Sequence, residues 1–207
     1  MSVRVARDSV ATRQQILQAA LKRFAQKGYA GTTVRDIVKA ARVTTPVLYY
    51  YFRNKADLYR ALVDWAAEER MRLMREAASR AESLAEQLKE ICVALFEFAK
   101  ANVELTRLAF ATALAAPGEV PPQAHCFEKG WQSIQFVQEL LAQGMKTGEL
   151  DRRFDSSTLA IGFWGLIHIQ VVMYLLQPTR PLDRQTAEAV VELFLRGAAC
   201  GIGKGRG

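Results

Sequence analysis

The 207-residue chain is short of the side chains that metal and redox chemistry needs. Its three cysteines, Cys92, Cys126 and Cys200, are odd in number, widely spaced and free of any CxxC arrangement, which argues against a disulfide framework or a zinc module and fits a reducing cytoplasm. It has only two histidines: His125 lies beside Cys126 with no partner at ligand spacing, and His168 stands alone in a hydrophobic stretch. No metal and no cofactor are therefore expected. Nothing pairs a nucleophile with a base or two carboxylates at a site, and the Gly-rich tail GIGKGRG lacks the spacing and the terminal Ser or Thr of a phosphate-binding loop. An enzyme is not expected. The start, MSVRVARDSVATRQQ, is polar throughout and lacks the apolar stretch of a signal peptide. One uncharged run, residues 159 to 176, just reaches the length of a membrane span, but it carries His168 and Gln170 centrally and is the only such run. It reads better as a helix covered on nearly all sides at a subunit interface.

Sustained strand-like alternation is also missing, and apolar residues recur at helical spacing almost everywhere, so the expected fold is all-α. Charge is what the chain does have, and it is unevenly placed. Residues 1 to 55 hold eleven Lys or Arg against Asp8 and Asp36, a net +9, which leaves residues 56 to 207 at −2. A basic patch of this kind suits a polyanion, either nucleic acid or an anionic membrane surface. Within it, Ile16, Leu17, Ala20, Leu21 and Phe24 form one stripe of an amphipathic helix of about five turns that Gly28 ends. A second helix of about two turns follows Thr32 or Thr33 as its cap, with Val34, Ile37, Val38 and Ala41 inward, before Arg42-Val43 turns the chain. Thr44 or Thr45 caps a third, with Pro46 in its first turn, running to about Phe52.

That third helix, within TTPVLYYYFRNK, crowds four aromatic rings. With Leu48 turned to the core, Phe52 lies nearby, Pro46 and Tyr50 point away and Tyr49 flanks them. Packing therefore leaves Thr45, Pro46, Val47, Tyr49 and Tyr50 exposed. A short helix, a tight turn and a helix with an outward face of small and aromatic residues make a helix-turn-helix, whose second member can enter a DNA major groove. Residues 8 to 60, and above all ILQAALKRFAQKGYAGTTVRDIVKAARVTTPVLYYYFRNKADLYRAL, resemble the DNA-binding domain of the tetracycline-repressor (TetR) family of bacterial transcription regulators. The GY, TTV and DI pairs, the A-A-x-V turn, LYYYF and the following NK carry the resemblance. It implies base or sugar-edge contact by Arg35, Thr45, Pro46 and Val47, and phosphate contact by Thr33, Thr44, Tyr49, Tyr50, Tyr51 and Lys55. Arg42 stands where the family usually has glycine; because a left-handed Arg costs roughly 1 to 2 kcal/mol, a locally altered turn is expected. With no Lys or Arg at residues 44 to 52, Arg35 is the expected guanine reader.

The domains expected are residues 1 to 55 for DNA binding and 56 to 207 for effector binding and dimerisation. A long helix from Asn54 links them, and further helices are expected at about 82 to 101, 103 to 115, 122 to 146, 156 to 177 and 183 to 200. The last two, with Gly162, Gly165, Ala187 and Ala198 among Ile, Val, Leu and Phe, can pair with their copies in a four-helix bundle. The resemblance implies a homodimer on a double-stranded DNA operator, no membrane, and a small-molecule pocket in each regulatory domain. Phe96, Phe110, Trp131, Gln135, Phe163, Ile167 and His168 are candidate lining residues for a mainly apolar effector, each also explicable as core. The function expected is a cytoplasmic transcriptional repressor, against the alternatives of a helical adaptor or an enzyme using the C-terminal pocket.

Overall fold

Local chemistry starts and stops the helices that position the basic segment. The computed structural model describes residues 2–116, 118–121 and 126–198, with side chains for 9–116, 118–121 and 128–197. Pro117, Pro122, His125, the side chain of Cys126, Cys200 and the tail GIGKGRG lie outside the described residues. Nine α-helices and no strand occur among those described: α1 Ser2–Lys27, α2 Val34–Ala41, α3 Thr45–Tyr51, α4 Lys55–Ala78, α5 Leu84–Ala101, α6 Val103–Ala113, α7 Cys126–Thr147, α8 Ser156–Leu176 and α9 Arg184–Ala198. The first helix is longer than its amphipathic stripe suggests, extending back to Ser2.

Gly28 ends α1 at φ 69°, a conformation only glycine adopts at no cost, with its N–H donating to the Phe24 carbonyl at 2.9 Å. Gly31 is required for another reason: a Cβ there would meet the Lys27 carbonyl oxygen at 2.5 Å. Of the two candidate caps for α2, Thr33 is the one used, in a reciprocal box with Asp36. Thr32 is instead buried, its hydroxyl donating to the carbonyls of Gly28 at 2.8 Å and Arg23 at 3.1 Å.

The chain divides into two units. The first comprises Met1–Ala67 and Val103–Phe127, the second Glu68–Asn102 and Glu128–Gly207. The boundary expected after residue 55 thus falls at the first residue of α4, and the first unit also takes α6. Its core joins Ile16, Ala20 and Phe24 of α1, Ile37 and Ala41 of α2, Leu48 of α3 with Phe52, and Leu58, Tyr59 and Leu62 of α4 to Leu108 of α6. A hydrogen bond of 2.6 Å between the Tyr59 and Thr112 hydroxyls ties α6 to α4 inside this core. In the second unit α5 packs on α9 and α8, and α8 also packs on α9. Arg184 adds a forked pair of hydrogen bonds to Glu90, which hold that carboxyl below its usual range.

Candidate nucleic-acid interface

The recognition surface is built on α3, a helix of seven residues too short to stand alone, so its core face sets its position. Leu48 is 0% and Phe52 2% exposed, while Tyr50 is 79% and Tyr49 48% exposed. Thr44, Thr45 and Pro46 are also exposed and Val47 is half-buried against the core. The outward face expected of this helix is therefore present. Thr44 takes the N-cap position without a side-chain capping bond, which leaves its hydroxyl facing solvent.

Three of the expected phosphate donors are committed inside the protein. The Thr33 hydroxyl donates to Asp36 Oδ2 at 2.8 Å and accepts from the Asp36 N–H at 3.1 Å, while the Thr33 N–H goes to the same carboxylate. These bonds hold the Asp36 carboxyl below its usual range, with Lys27 at 3.7 Å adding to the effect. Tyr51 is half-buried, and its hydroxyl donates to Ser9 Oγ at 3.2 Å; it packs edge-on to Tyr50 at 5.0 Å. Lys55 donates to the carbonyls of Tyr29 and Thr32, both at 2.9 Å, and sits 4.1 Å from the centre of the Tyr29 ring. Its ammonium is thus the clasp of the α1–α2 loop, and partial burial lowers its pKa. Tyr29, Phe24 and Tyr59 form a triangle of rings beneath it, with centroids 5.0 to 5.9 Å apart. Both the GY pair and the NK pair of the sequence signature thereby acquire structural roles.

The turn between α2 and α3 corrects one expectation. Arg42 keeps the left-handed conformation, at φ 52° and ψ 39°, and the turn is not altered to avoid it. The Arg42 N–H donates to the Lys39 carbonyl at 3.3 Å and the Val43 N–H to the Val38 carbonyl at 3.1 Å, the two bonds of a Schellman close. Val43 packs against the core, and Gln15 Nε2 holds the Ala41 carbonyl at 2.7 Å. Together these contacts offset the roughly 1 to 2 kcal/mol that a Cβ costs in this region. Arg35 is exposed at the start of α2.

The expected effector residues do not all come together. Phe110 lies in the first unit, whereas Phe96, Trp131, Gln135, Phe163, Ile167 and His168 lie in the second. Phe96, Phe163 and Ile167 are buried, with Phe163 5.0 Å from Phe194; Trp131 and His168 are half-buried; Gln135 is exposed. As a solvent-facing residue of α7, Gln135 does not line the interior of its unit. An open groove of about 480 Å³ between α5 and α9, lined by Glu86, Lys89, Glu188, Val191 and Leu195 among others, touches none of the seven. A polar group that periodicity could not reveal does gather around His168. Arg70 Nε of α4 donates to the buried Ser133 Oγ at 3.2 Å, and the guanidinium lies 6.0 Å from the Trp164 ring, which meets His168 edge-on at 5.0 Å. Burial, with the Arg70 charge adding to it, pushes the His168 imidazole down to about 4, so it is neutral at pH 7. Cys92 is buried in α5 and its thiol is pushed up to about 12, which keeps it protonated and unreactive.

A two-turn helix, a tight turn and a helix with one buried and one polar-aromatic outward face define a helix-turn-helix DNA-binding protein. Residues 16–62 match the model of the bacterial regulatory proteins of the tetR family. The chain is 33% identical over 103 residues to the probable HTH-type transcriptional regulator YttP of Bacillus subtilis, covering 49% of this chain and 50% of that one. It is 43% identical over 68 residues to the HTH-type transcriptional regulator TtgR of Pseudomonas putida, covering 33% and 32%. The chain thus spans between about a third and half of the length of these curated relatives. Its fold is similar to that of the fatty acid degradation regulator FadR from Bacillus halodurans, with a TM-score of 0.72 and 25% identity over 89% of this chain and 98% of that one. By its helix-turn-helix and its helical fold, the chain is similar to the tetR family of bacterial transcription regulators.

Proposed function

We propose that the protein is a cytoplasmic repressor that binds a palindromic operator as a homodimer and leaves it when a small, mainly apolar effector binds the second unit. The observation that carries the DNA half of this reading is the division of α3: Leu48 and Phe52 are buried while Tyr50 and Tyr49 stand in solvent. A ring outside the core, on the exposed face of a recognition helix in a segment of net +9, is suited to a phosphate or a sugar edge. Thr44, Thr45 and Pro46 are exposed beside it in the sequence, and the exposed Arg35 has the chemistry to read a guanine.

Dimerisation is assigned to α8 and α9. Ile161, Ile169 and Leu176 of α8 and Leu193 of α9 are exposed large apolar residues, and at Gly162 and Gly165 of α8 an added Cβ would meet nothing within 4 Å. A second copy of these helices covers that face in a four-helix bundle. The same cover accounts for α8, which by length and composition alone could cross a membrane. Effector release requires a ligand with different affinities for the operator-bound and the released conformers, since equal affinity shifts nothing.

A mobility-shift titration of the full chain with the upstream region of its own gene tests the reading. Sequence-selective, salt-sensitive retardation is expected. Binding that ignores sequence, or none at all, refutes it.

A further inference from the structure

The cations of α2 have no role in the fold. Arg35, Lys39 and Arg42 are all exposed, and none of them has a side-chain hydrogen bond or an ion pair among the described residues. Asp36, the acid of this helix, is already engaged by Thr33 and Lys27. Spacings of four and three residues put Arg35 and Lys39 on one face, with Arg42 following where the helix closes; Ile37, Val38 and Ala41 are buried on another. Arg42 is the one residue other than glycine at positive φ among the described residues. An exposed, unpaired side chain held at a strained backbone position stabilises nothing in the folded protein, and such strain points toward function.

We propose that α2 lies along the phosphate backbone through Lys39 and Arg42, which extend the DNA contact from Arg35 at the start of α2 to the turn before the recognition helix. The inference rests on the DNA-binding reading above and deepens it. Arg42 follows Lys39 by three residues, about 4.5 Å of helix advance, so these two flexible side chains can reach neighbouring phosphates of one strand. With Arg35 directed to a base, Lys39 and Arg42 are the two cations left for phosphates, and the first helix of such a pair characteristically crosses the backbone. Lys39 and Arg42 thus contribute affinity without reading sequence, and the left-handed arginine exchanges folding stability for a charge at the turn.

The test uses the full-length protein and a labelled fragment of its own upstream region, titrated by anisotropy across a salt series. Each substitution removes one cation from each half of a dimer, so R42G and K39Q should each lower the slope of log K against log salt by about 1.8 and weaken binding about 30-fold at 0.15 M salt. R42G should also raise the melting temperature, which separates lost contact from lost folding. R42K should bind like the wild type. R180Q removes an exposed cation of the second unit and should change neither slope nor affinity. The ranking of operator variants should be unaltered throughout. If R42G and K39Q keep the slope of R180Q and the wild type, the inference is overturned while the regulator reading stands. If the wild type itself shows no salt-sensitive, selective binding, both fall.

Discussion

Leu48→Ala and Tyr50→Ala, two residues apart on one short helix, should fail in opposite ways. Leu48 is 0% exposed in the core of the first unit, so truncation removes three carbons from a packed site. At about 0.8 kcal/mol per methylene the transfer loss alone is roughly 2.5 kcal/mol, and the unfilled cavity raises it toward 5. Against a total stability of about 5 to 15 kcal/mol this is a large fraction. Tyr50 is 79% exposed and meets the edge of the Tyr51 ring at 5.0 Å, so its loss should cost less than about 1 kcal/mol. On DNA the order reverses. A hydrogen bond to a charged partner contributes about 1.5 to 3 kcal/mol, so Tyr50→Ala should weaken operator binding at least about tenfold per half-site. Tyr50→Phe separates hydroxyl from ring. Denaturant titration followed by helix content gives the stabilities, and anisotropy on the operator fragment gives the affinities at a protein concentration where Leu48→Ala is still folded. Wild-type affinity for Tyr50→Ala, or a stability loss matching that of Leu48→Ala, would refute the two-face account of α3.

Lys55→Met should destabilise the protein by about 2 to 3 kcal/mol, because the Tyr29 and Thr32 carbonyls lose a charged donor; a melting temperature equal to wild type would show that the clasp is idle. His168 has a folded pKa of about 4 against 6.5 unfolded. The unfolded chain therefore binds the extra proton first, and stability that is complete above pH 6.5 should decline as pH falls toward 4, by at most about 3 kcal/mol. His168→Leu should flatten that part of the pH–stability curve, and an unchanged slope would assign the loss to other groups. Ile169→Glu with Leu193→Glu should convert a dimer to a folded monomer in sedimentation, since each puts a charge on the exposed apolar face of α8 and α9; a dimer that persists would move the interface elsewhere.

How much of this could be read from the sequence follows from the range of the interactions concerned. The capping pair Thr33 and Asp36 lies three residues apart, Pro46 sits in its own first turn, and the stripe of α1 repeats every three or four residues, so elements and faces were legible. Arg42 was misjudged because propensity treats the residue alone, whereas two backbone bonds and the half-buried Val43 fix the turn whatever side chain it bears. Tyr51 and Lys55 have the right chemistry for phosphate, but their partners Ser9 and Tyr29 lie 42 and 26 residues away, beyond any periodic signal. Phe110 illustrates the same limit. Its helix has an apolar face like its neighbours', and it is the packing of α6 on α1, with Leu108 in the first core and the Tyr59–Thr112 bond, that assigns α6 to the first unit.

Those long-range contacts also constrain how the recognition helix can be moved. Within the first unit α3 is bound to α1 and α2 through Leu48 and Phe52, while the start of α4 is fastened to the α1–α2 loop by Lys55 and to Phe24 and Tyr29 by the Tyr59 ring. A displacement of α3 alone would have to open a core in which Ile16, Ile37, Leu48 and Leu58 are all fully buried, at a cost of several kcal/mol. An effector that differs by the few kcal/mol typical of allosteric coupling cannot supply this. In the proposed mechanism, release must therefore carry the helix-turn-helix as one body with the first turns of α4, and the quantity for an effector to change is the placement of two such bodies on the operator, not the shape of either one.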